Sequence, residues 1–226
     1  MARGAAAGAG TAASVGCGSI FGAVGFAVFV GAMAGLAGFF LNFDDTNALG
    51  YPEVAGCVVE PSASCEGDDL EGADLHAAAL GSARLDGADL SGSDLTDADL
   101  SSATLDEATL VGADLTRADM TSARLDETDL TDAALTGANL SSASLTDALL
   151  RGADLSGAVL TGASLDGVDL SGANLSGATL RAVSLTDVDL TGANLSGADL
   201  TAVMVSGTTD LGLADTTGAV GSPVGG

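Results

Sequence analysis

The chain has 226 residues, of which 31 are acidic and only 6 are basic, all of them arginine, so its formal net charge at pH 7 is −25. This balance excludes a basic surface that could neutralise nucleic-acid phosphates, and with it direct nucleic-acid binding. The only histidine is His76, and no nucleophile, metal-binding cluster or phosphate-binding loop accompanies it. These features indicate a protein that is not an enzyme and uses no cofactor.

An uncharged segment between Arg3 and Asp44 opens the chain and contains all six phenylalanines. Ser19 to Leu41 is almost continuously apolar, and as a helix it would be about 33 Å long, enough to cross the hydrocarbon core of a bilayer. We therefore predict that residues 1–43 contain one transmembrane helix at about residues 19–41. Two alternatives are a cleaved secretory signal, because Ala32-Met33-Ala34 fits a cleavage pattern, and a soluble glycine-rich helix.

Charges on either side of this segment indicate its orientation. Arg3 precedes it, whereas Asp44 and Asp45 follow it, and positively charged flanks tend to stay in the cytoplasm. We expect a single-pass membrane protein that contacts the lipid bilayer through this helix and places the rest of the chain outside the cytoplasm, or a secreted protein after signal cleavage. Two glycine pairs spaced four residues apart would also allow a homodimer.

Residues 44–67 are predicted to be a linker that caps the domain after it. The linker contains Cys57 and Cys65, which could form a disulfide in an oxidising compartment or remain two free thiols. With no histidine or further cysteine beside them, these two residues make a poor zinc site.

A five-residue repeat follows the linker. Leu or Met occupies every fifth position from Leu70 to Leu200, twenty-seven times without interruption, and Ala stands two residues earlier in twenty-one of these units. In an α-helix a five-residue step turns about 140°, which would scatter the leucines around the cylinder. In a flat strand an odd step would send successive leucines to opposite faces. Only a chain that bends once per repeat keeps every leucine inside, which predicts an all-β solenoid over residues 68–205.

A second period of twenty residues gives the number of bends per coil. In three of the four phases the residue before the leucine is Asp at twelve of twenty-one positions, as at Asp74 and Asp114. In the phase that contains Leu85 and Leu105 this residue is never acidic, and the acid follows the leucine instead. Four repeats therefore make one coil with about a right angle at each repeat, which predicts a square solenoid of about seven coils.

Units such as Gly72-Ala73-Asp74-Leu75 and Gly172-Ala173-Asn174-Leu175-Ser176 resemble the A(D/N)Lxx units of the pentapeptide-repeat family, and the resemblance covers more than half of the chain. It implies a right-handed quadrilateral β-helix in which the central leucine points inward and the small residue packs at the inner corner. The predicted core accordingly includes Leu70, Leu75, Leu80, Leu85, Leu90, Leu95, Leu100, Leu105, Leu110, Leu115, Met120, Leu125 and Leu130.

The acids that follow the leucine in the fourth phase form a predicted carboxylate ridge, which consists of Asp86, Asp106, Glu107, Asp126, Glu127, Asp147, Asp166 and Asp187. Stacked about 4.8 Å apart, such charges repel by about 0.9 kcal/mol per pair even in water. The ridge could bind Ca²⁺ or Mg²⁺, which prefer carboxylate oxygens, or a basic partner surface. The alternative is an exposed acidic edge with diffuse counter-ions, because a line of ligands does not converge on one ion.

The five-residue pattern stops at Val205. Ser206 to Gly226 is rich in Gly, Thr and Ala and contains Pro223. We therefore predict that residues 206–226 form a short irregular cap and then a flexible tail.

The leading functional hypothesis is a membrane-anchored, non-catalytic scaffold whose acidic faces bind a protein with a basic surface. A second hypothesis comes from the resemblance, since some pentapeptide-repeat proteins imitate duplex DNA and bind type II topoisomerases. The spacing of charge agrees with it, because the repeat carries one net negative charge per ~1.6 Å of solenoid axis and duplex DNA carries one per ~1.7 Å. A third is a cation-binding exported surface protein. The acid-rich composition is also typical of adaptation to high salt.

Overall fold

The computed structural model describes residues 51–221 and Pro223. The transmembrane helix predicted at about residues 19–41 lies outside the described residues. Among residues 51–221, none of the helices has the length and apolar character needed to span a bilayer.

Parallel bridges between residues twenty positions apart define the fold. They begin with Ser64↔Arg84 and recur every five residues up to Thr179↔Asp199. Each bridged residue directly precedes a central residue of the repeat, so four bridged columns run along the axis, one for each wall of the coil. The predicted all-β solenoid with twenty residues per coil is therefore confirmed.

Regular elements are short and lie towards the two ends of the solenoid. They are β1 (Glu53–Val54), β2 (Cys57–Val58), β3 (Ser184–Thr186), β4 (Met204–Ser206) and a 3₁₀ helix (Leu211–Leu213). β1 and β2 form an antiparallel hairpin, whereas β3 and β4 belong to successive coils and pair in parallel.

One left-handed residue per repeat makes the chain bend. Two positions after every central leucine φ is positive, as at Gly112 (+65°) and Ser122 (+59°). The following amide closes the turn, since the Ala113 N–H donates to the Leu110 carbonyl at 3.1 Å, and a type II β-turn requires a positive φ at its third residue. Between turns the chain bonds to the next coil, as where the Leu110 N–H donates to the Asp129 carbonyl at 2.7 Å.

Central side chains and small corner residues fill the lumen. The thirteen predicted core residues are each at most 2% exposed. Ser93 and Thr128 replace corner alanines and are buried, and their hydroxyls donate to the carbonyls of Leu90 at 2.8 Å and Leu105 at 2.7 Å. In the described part of the chain no buried side-chain nitrogen or oxygen lacks a hydrogen-bond partner. The lumen is thus a packed core.

The solenoid begins one unit earlier than the leucine pattern indicates. Cys65 is 1% exposed and takes the place of a central leucine, Ala63 occupies the corner, and the Cys65 N–H donates to the Arg84 carbonyl at 2.8 Å. A disulfide joins Cys65 to Cys57 in β2, with a Cα–Cα distance of 5.2 Å. It ties the hairpin to the first coil.

At the other end, residues 206–220 continue the solenoid where the sequence predicts a tail. Asn194 bridges Asp215 and Asp199 bridges Val220, a spacing of twenty-one residues. The Thr209 hydroxyl supports the inserted residue, since it accepts from the Val188 N–H at 2.9 Å. One bridged column contains Ser64, Arg84, Thr104, Arg124, Ser144, Ser164, Ser184 and Met204. From the first to the last of these residues the chain completes seven turns, in agreement with the predicted number of about seven coils.

Candidate functional site

One wall of the solenoid carries the predicted carboxylate ridge, and we call it the ridge wall. Its central residues are Cys65, Leu85, Leu105, Leu125, Leu145, Leu165 and Leu185. The other three walls differ from it in how they satisfy one backbone group, the N–H of the residue that follows the central leucine.

On these three walls the acceptor lies within the same turn wherever the residue before the leucine is Asp or Asn. The side-chain Oδ1 of the residue before the leucine accepts from the N–H two positions later, as from Ser91 to Asp89 at 3.0 Å and from Ser196 to Asn194 at 3.0 Å. An aspartate or asparagine that bonds the backbone two residues on stabilises a turn, so these acids have a structural role. This role was not predicted, although the recurrence of Asp or Asn before the leucine and Ser or Thr after it could have indicated it. These in-turn acceptors are Asp69, Asp74, Asp89, Asp94, Asp99, Asp114, Asp119, Asp129, Asn139, Asp154, Asp169, Asn174, Asp189, Asn194, Asp199 and Asp215.

On the ridge wall the acceptor comes from the preceding coil. The Asp106 N–H donates to Asp86 at 3.1 Å, the Asp126 N–H donates to Asp106 at 3.1 Å, and the Thr146 N–H donates to Asp126 at 2.9 Å. The residue before the leucine is Arg, Thr or Ser here and offers no carboxylate. This explains why the acids change sides in the fourth phase.

The same carboxylates also accept from side chains of the next coil. Thr104 Oγ1 donates to Asp86 at 2.6 Å, and Arg124 forms an ion pair with Asp106. Further along the wall, Ser184 Oγ donates to Asp166 at 3.1 Å. Each of these donors lies eighteen residues after its acceptor, and each bond reduces the negative charge that a ligand would meet.

The other predicted ridge acids stand at the turn. Glu107, Glu127, Asp147 and Asp187 have φ values of +57° to +59° and are exposed. Asp187 accepts from the Thr208 N–H at 2.8 Å. The eight predicted metal candidates therefore lie in two columns, one after the leucine and one at the turn.

The ridge acids do not converge on a common point. Within residues 51–221, one group of three potential metal ligands has its ligand atoms within 4.8 Å of one another, and it consists of Cys57, Cys65 and Asp68. Its two cysteines are bonded to each other in the disulfide. A surface depression of about 380 Å³ lies beside the ridge and is lined by Asp86, Gly87, Asp106, Glu107 and Arg124.

Electrostatic environments differ between the two arrangements. Burial raises the pKa of Asp106, and the Asp126 N–H and the Arg124 guanidinium only partly oppose this effect. The hydroxyl and then the backbone N–H of the residue two positions later lower the pKa of Asp89 and Asp199. At Asp89 and Asp199 the in-turn bonds favour the charged form, whereas burial of Asp106 disfavours it.

Arginine neutralises only a small part of the acidic surface. Each of the five arginines in the described residues forms an ion pair with an acid of a neighbouring coil. The same residues contain 29 acids, so most carboxylates have no cationic partner. The described surface can therefore attract cations or a basic partner, and no nucleophile with an adjacent base accompanies these carboxylates.

Comparison with protein families supports the assignment of the five-residue repeat. The family model described as Pentapeptide repeats, in eight copies, matches residues 69–106, 93–132, 133–172 and 163–201. Among curated proteins no relative is found.

The similar solved structures include two that are described as pentapeptide-repeat proteins. One from the Arabidopsis thaliana thylakoid lumen is 30% identical, covering 50% of this chain and 71% of its own, with a TM-score of 0.40. One from Nostoc Pcc 7120 is 34% identical, covering 43% of this chain and 84% of its own, with a TM-score of 0.38. QnrB1, a plasmid-mediated fluoroquinolone resistance protein, is 17% identical, covering 70% of this chain and 91% of its own, with a TM-score of 0.39.

Proposed function

Because the chain belongs to the pentapeptide-repeat family, we propose that it is a non-catalytic scaffold whose acidic walls bind a protein with a basic surface. We further propose that the helix at residues 19–41 anchors it in the membrane with the repeat domain outside the cytoplasm. In this proposal the solenoid has the right-handed winding that the family resemblance implies.

One observation carries the proposal: the described residues enclose a packed lumen and carry 29 acids against five paired arginines. The packed interior supports a role that depends on the surface. Unpaired carboxylates on that surface attract a basic partner and raise its rate of association. The exposed turn column of Glu107, Glu127 and Asp147 is the part of the ridge wall that is freest to make such contacts.

Cell fractionation tests the anchor. A tagged full-length chain should sediment with membranes, and protease added from outside should cleave the repeat domain. A protein found in the soluble cytosolic fraction would contradict the anchor.

Binding of an oligo-arginine peptide at low salt tests the acidic wall. The triple variant Glu107→Gln, Glu127→Gln, Asp147→Asn should weaken binding on the order of tenfold, the effect of three partly exposed charges. The matched control Asp74→Asn, Asp94→Asn, Asp114→Asn removes the same charge from another wall and keeps every in-turn acceptor. Equal loss in both variants would mean that only net charge matters and would contradict a role for the ridge wall.

A second candidate is imitation of duplex DNA. It is favoured by the distribution of acids, which occur on all four walls as phosphates surround a duplex. The full-length chain should then inhibit supercoiling by a type II topoisomerase, and the effect should fall steeply with salt. Absence of inhibition at low salt would exclude this candidate.

A further inference from the structure

Asparagine replaces aspartate at three in-turn acceptor positions, Asn139, Asn174 and Asn194, and in each case Leu and Ser follow. Asn-x-Ser is the acceptor sequence for N-linked glycans. We propose that Asn174 and Asn194, which lie one coil apart in the same bridged column, are N-glycosylation sites, whereas Asn139 is not. The proposal rests on the exocytoplasmic location of the repeat domain proposed above.

The turn itself does not require asparagine. Asn194 accepts the Ser196 N–H at 3.0 Å, and Asp169 accepts the Ser171 N–H at 2.9 Å in the same geometry. Aspartate would therefore complete these turns equally well. What asparagine adds is the Nδ2 amide, which can donate or be modified.

The bonds of Nδ2 separate the three asparagines. Asn174 Nδ2 donates to Asp154 at 2.9 Å, and Asn194 Nδ2 donates to Asn174 at 3.0 Å, so in the described residues each uses one of its two amide hydrogens. Asn139 Nδ2 donates twice, to Thr121 Oγ1 at 2.8 Å and to Asp119 at 3.3 Å. A glycosidic bond replaces one amide hydrogen. Asn174 and Asn194 can therefore carry a sugar and keep their bond to the preceding coil, whereas Asn139 would lose one.

The surroundings of these two side chains also have room for a sugar. Both are half-buried, and the residues that follow them at the turn, Gly177 and Gly197, have open space where a Cβ would project. Ser176 and Ser196, which complete the acceptor sequences, are uncharged and half-buried. Because the two asparagines lie one coil apart, about 4.8 Å, a sugar on one crowds the other, and we expect one glycan per molecule.

The donor would be a lipid-linked oligosaccharide. Asn Nδ2 forms a bond to the anomeric carbon of the sugar, and the bond from that carbon to the lipid phosphate oxygen breaks. The lipid phosphate leaves with the electron pair, and Nδ2 loses one proton.

Trypsin places each site on a separate peptide, because the chain has no lysine and arginine precedes each site. The full-length protein, purified from its source organism, should yield residues 152–181 and 182–226 each as a mixture of unmodified and glycan-bearing peptides, with 125–151 unmodified. Protease access is measured on the same cells. If the repeat domain is accessible to protease and all peptides are unmodified, the glycosylation proposal is wrong, whereas the proposed membrane anchor is still supported. A glycan on residues 125–151 would contradict the use of the Nδ2 hydrogen bonds to exclude Asn139. A repeat domain that protease cannot reach would contradict both the exocytoplasmic location and the glycosylation.

Serine variants separate the modification from the turn. The double variant Ser176→Ala, Ser196→Ala keeps both backbone N–H groups and both asparagines but should lose the glycan completely. The matched variant Ser176→Thr, Ser196→Thr should keep it, because threonine also completes the acceptor sequence. Unchanged masses in the alanine variant would show that the mass has another origin and would overturn the proposal.

Discussion

The ridge wall and the other three walls solve the same problem with different residues. Each repeat has an N–H that follows its central leucine. On three walls an Asp or Asn two residues before this N–H accepts it wherever one is present, as Asp114 does from Thr116 at 2.9 Å. On the ridge wall Asp106, from the preceding coil, accepts from Asp126. Three walls therefore satisfy this N–H within the turn wherever the residue before the leucine is Asp or Asn, whereas the ridge wall satisfies it from the preceding coil at Asp106, Asp126 and Thr146.

This difference changes the meaning of the acidic surface. A carboxylate that accepts a backbone N–H is retained for the fold, and its charge is a consequence of that role. The acids that face solvent without such a bond, such as Glu107 and Glu127, are better candidates for recognition. A charge pattern alone is therefore weak evidence for a binding site in this solenoid.

The largest expected effect tests what the walls share. Leu125→Ala on the ridge wall and Leu115→Ala on another wall should each lower the free energy of unfolding by about 2–5 kcal/mol, because both side chains are 0% exposed. Urea denaturation of both variants gives the comparison, with Met120→Leu as a control that should cost less than about 1.5 kcal/mol. A wall that tolerated the alanine at under ~1 kcal/mol would contradict a common packed lumen.

Removal of the disulfide is expected to have the next largest effect on stability, and it acts at the end of the solenoid where the ridge wall begins. Cys57→Ser should lower the free energy of unfolding by about 2.5 kcal/mol, the chain entropy of a loop of this length. Cys17→Ser, outside the described residues, is the control and should leave stability unchanged. Equal stability of Cys57→Ser and the unmodified chain would show that the hairpin does not depend on this bond.

The ridge acceptor can be removed in two ways. Asp106→Ala leaves the Asp126 N–H without its acceptor and should cost about 1–3 kcal/mol. Asp106→Asn keeps an acceptor oxygen and should cost at most about 0.5 kcal/mol, because it loses an exposed ion pair with Arg124 but no longer buries a charge. If both variants lost the same stability, the charge of Asp106 and not its acceptor role would matter.

A smaller effect is expected for the same exchange on another wall. Asp114→Asn should be neutral within about 0.3 kcal/mol, because Asn174 already performs this role in its own turn. Asp114→Ala should cost about 0.5–1 kcal/mol, since the Thr116 N–H is near solvent and water replaces the lost acceptor. A costly Asp114→Asn would show that this wall requires the negative charge.

Dependence on pH provides the finest comparison. The folded pKa of Asp89, Asp94 and Asp199 lies below the ordinary value of 3.8, so their contribution to stability is present above that value and is lost as pH falls through the folded pKa. The folded pKa of Asp106 lies above 3.8, so its protonation favours the folded state as pH falls. Denaturation at a series of pH values should therefore show a loss of stability as pH falls through and below 3.8, and Asp106→Asn should remove the gain in stability that Asp106 gives as pH falls from its folded pKa to 3.8. A stability that rose below 3.8 would contradict the lowered values.

Much of this architecture can be predicted from the sequence because it is local and periodic. The step of five residues excludes helix and strand, and the change of phase at Leu85 and Leu105 gives twenty residues per coil. The ends are harder, because Cys65 replaces a leucine and the spacing of the last coil is twenty-one residues. Both changes interrupt a pattern that is recognised by identical residues at identical intervals.

The ridge could be located from the sequence, but its role could not. Its position follows from which residues are acidic, whereas the bond between Asp86 and the Asp106 N–H joins residues twenty positions apart. Whether such a bond forms depends on the spacing and register between successive coils, and no short sequence motif indicates these. The eight predicted metal candidates likewise share a column pattern in the sequence, although in space they do not converge.

Amide hydrogen exchange at Asp126 tests the central claim most directly, because its N–H donates to a carboxylate of the preceding coil, Asp106. Exchange at Asp126 should accelerate in Asp106→Ala and remain slow in Asp106→Asn, while exchange at Thr116 stays unchanged in both. If the Asp126 amide exchanged equally slowly in all three proteins, the carboxylates of the ridge wall would not be backbone acceptors, and the explanation of the acidic pattern would be wrong.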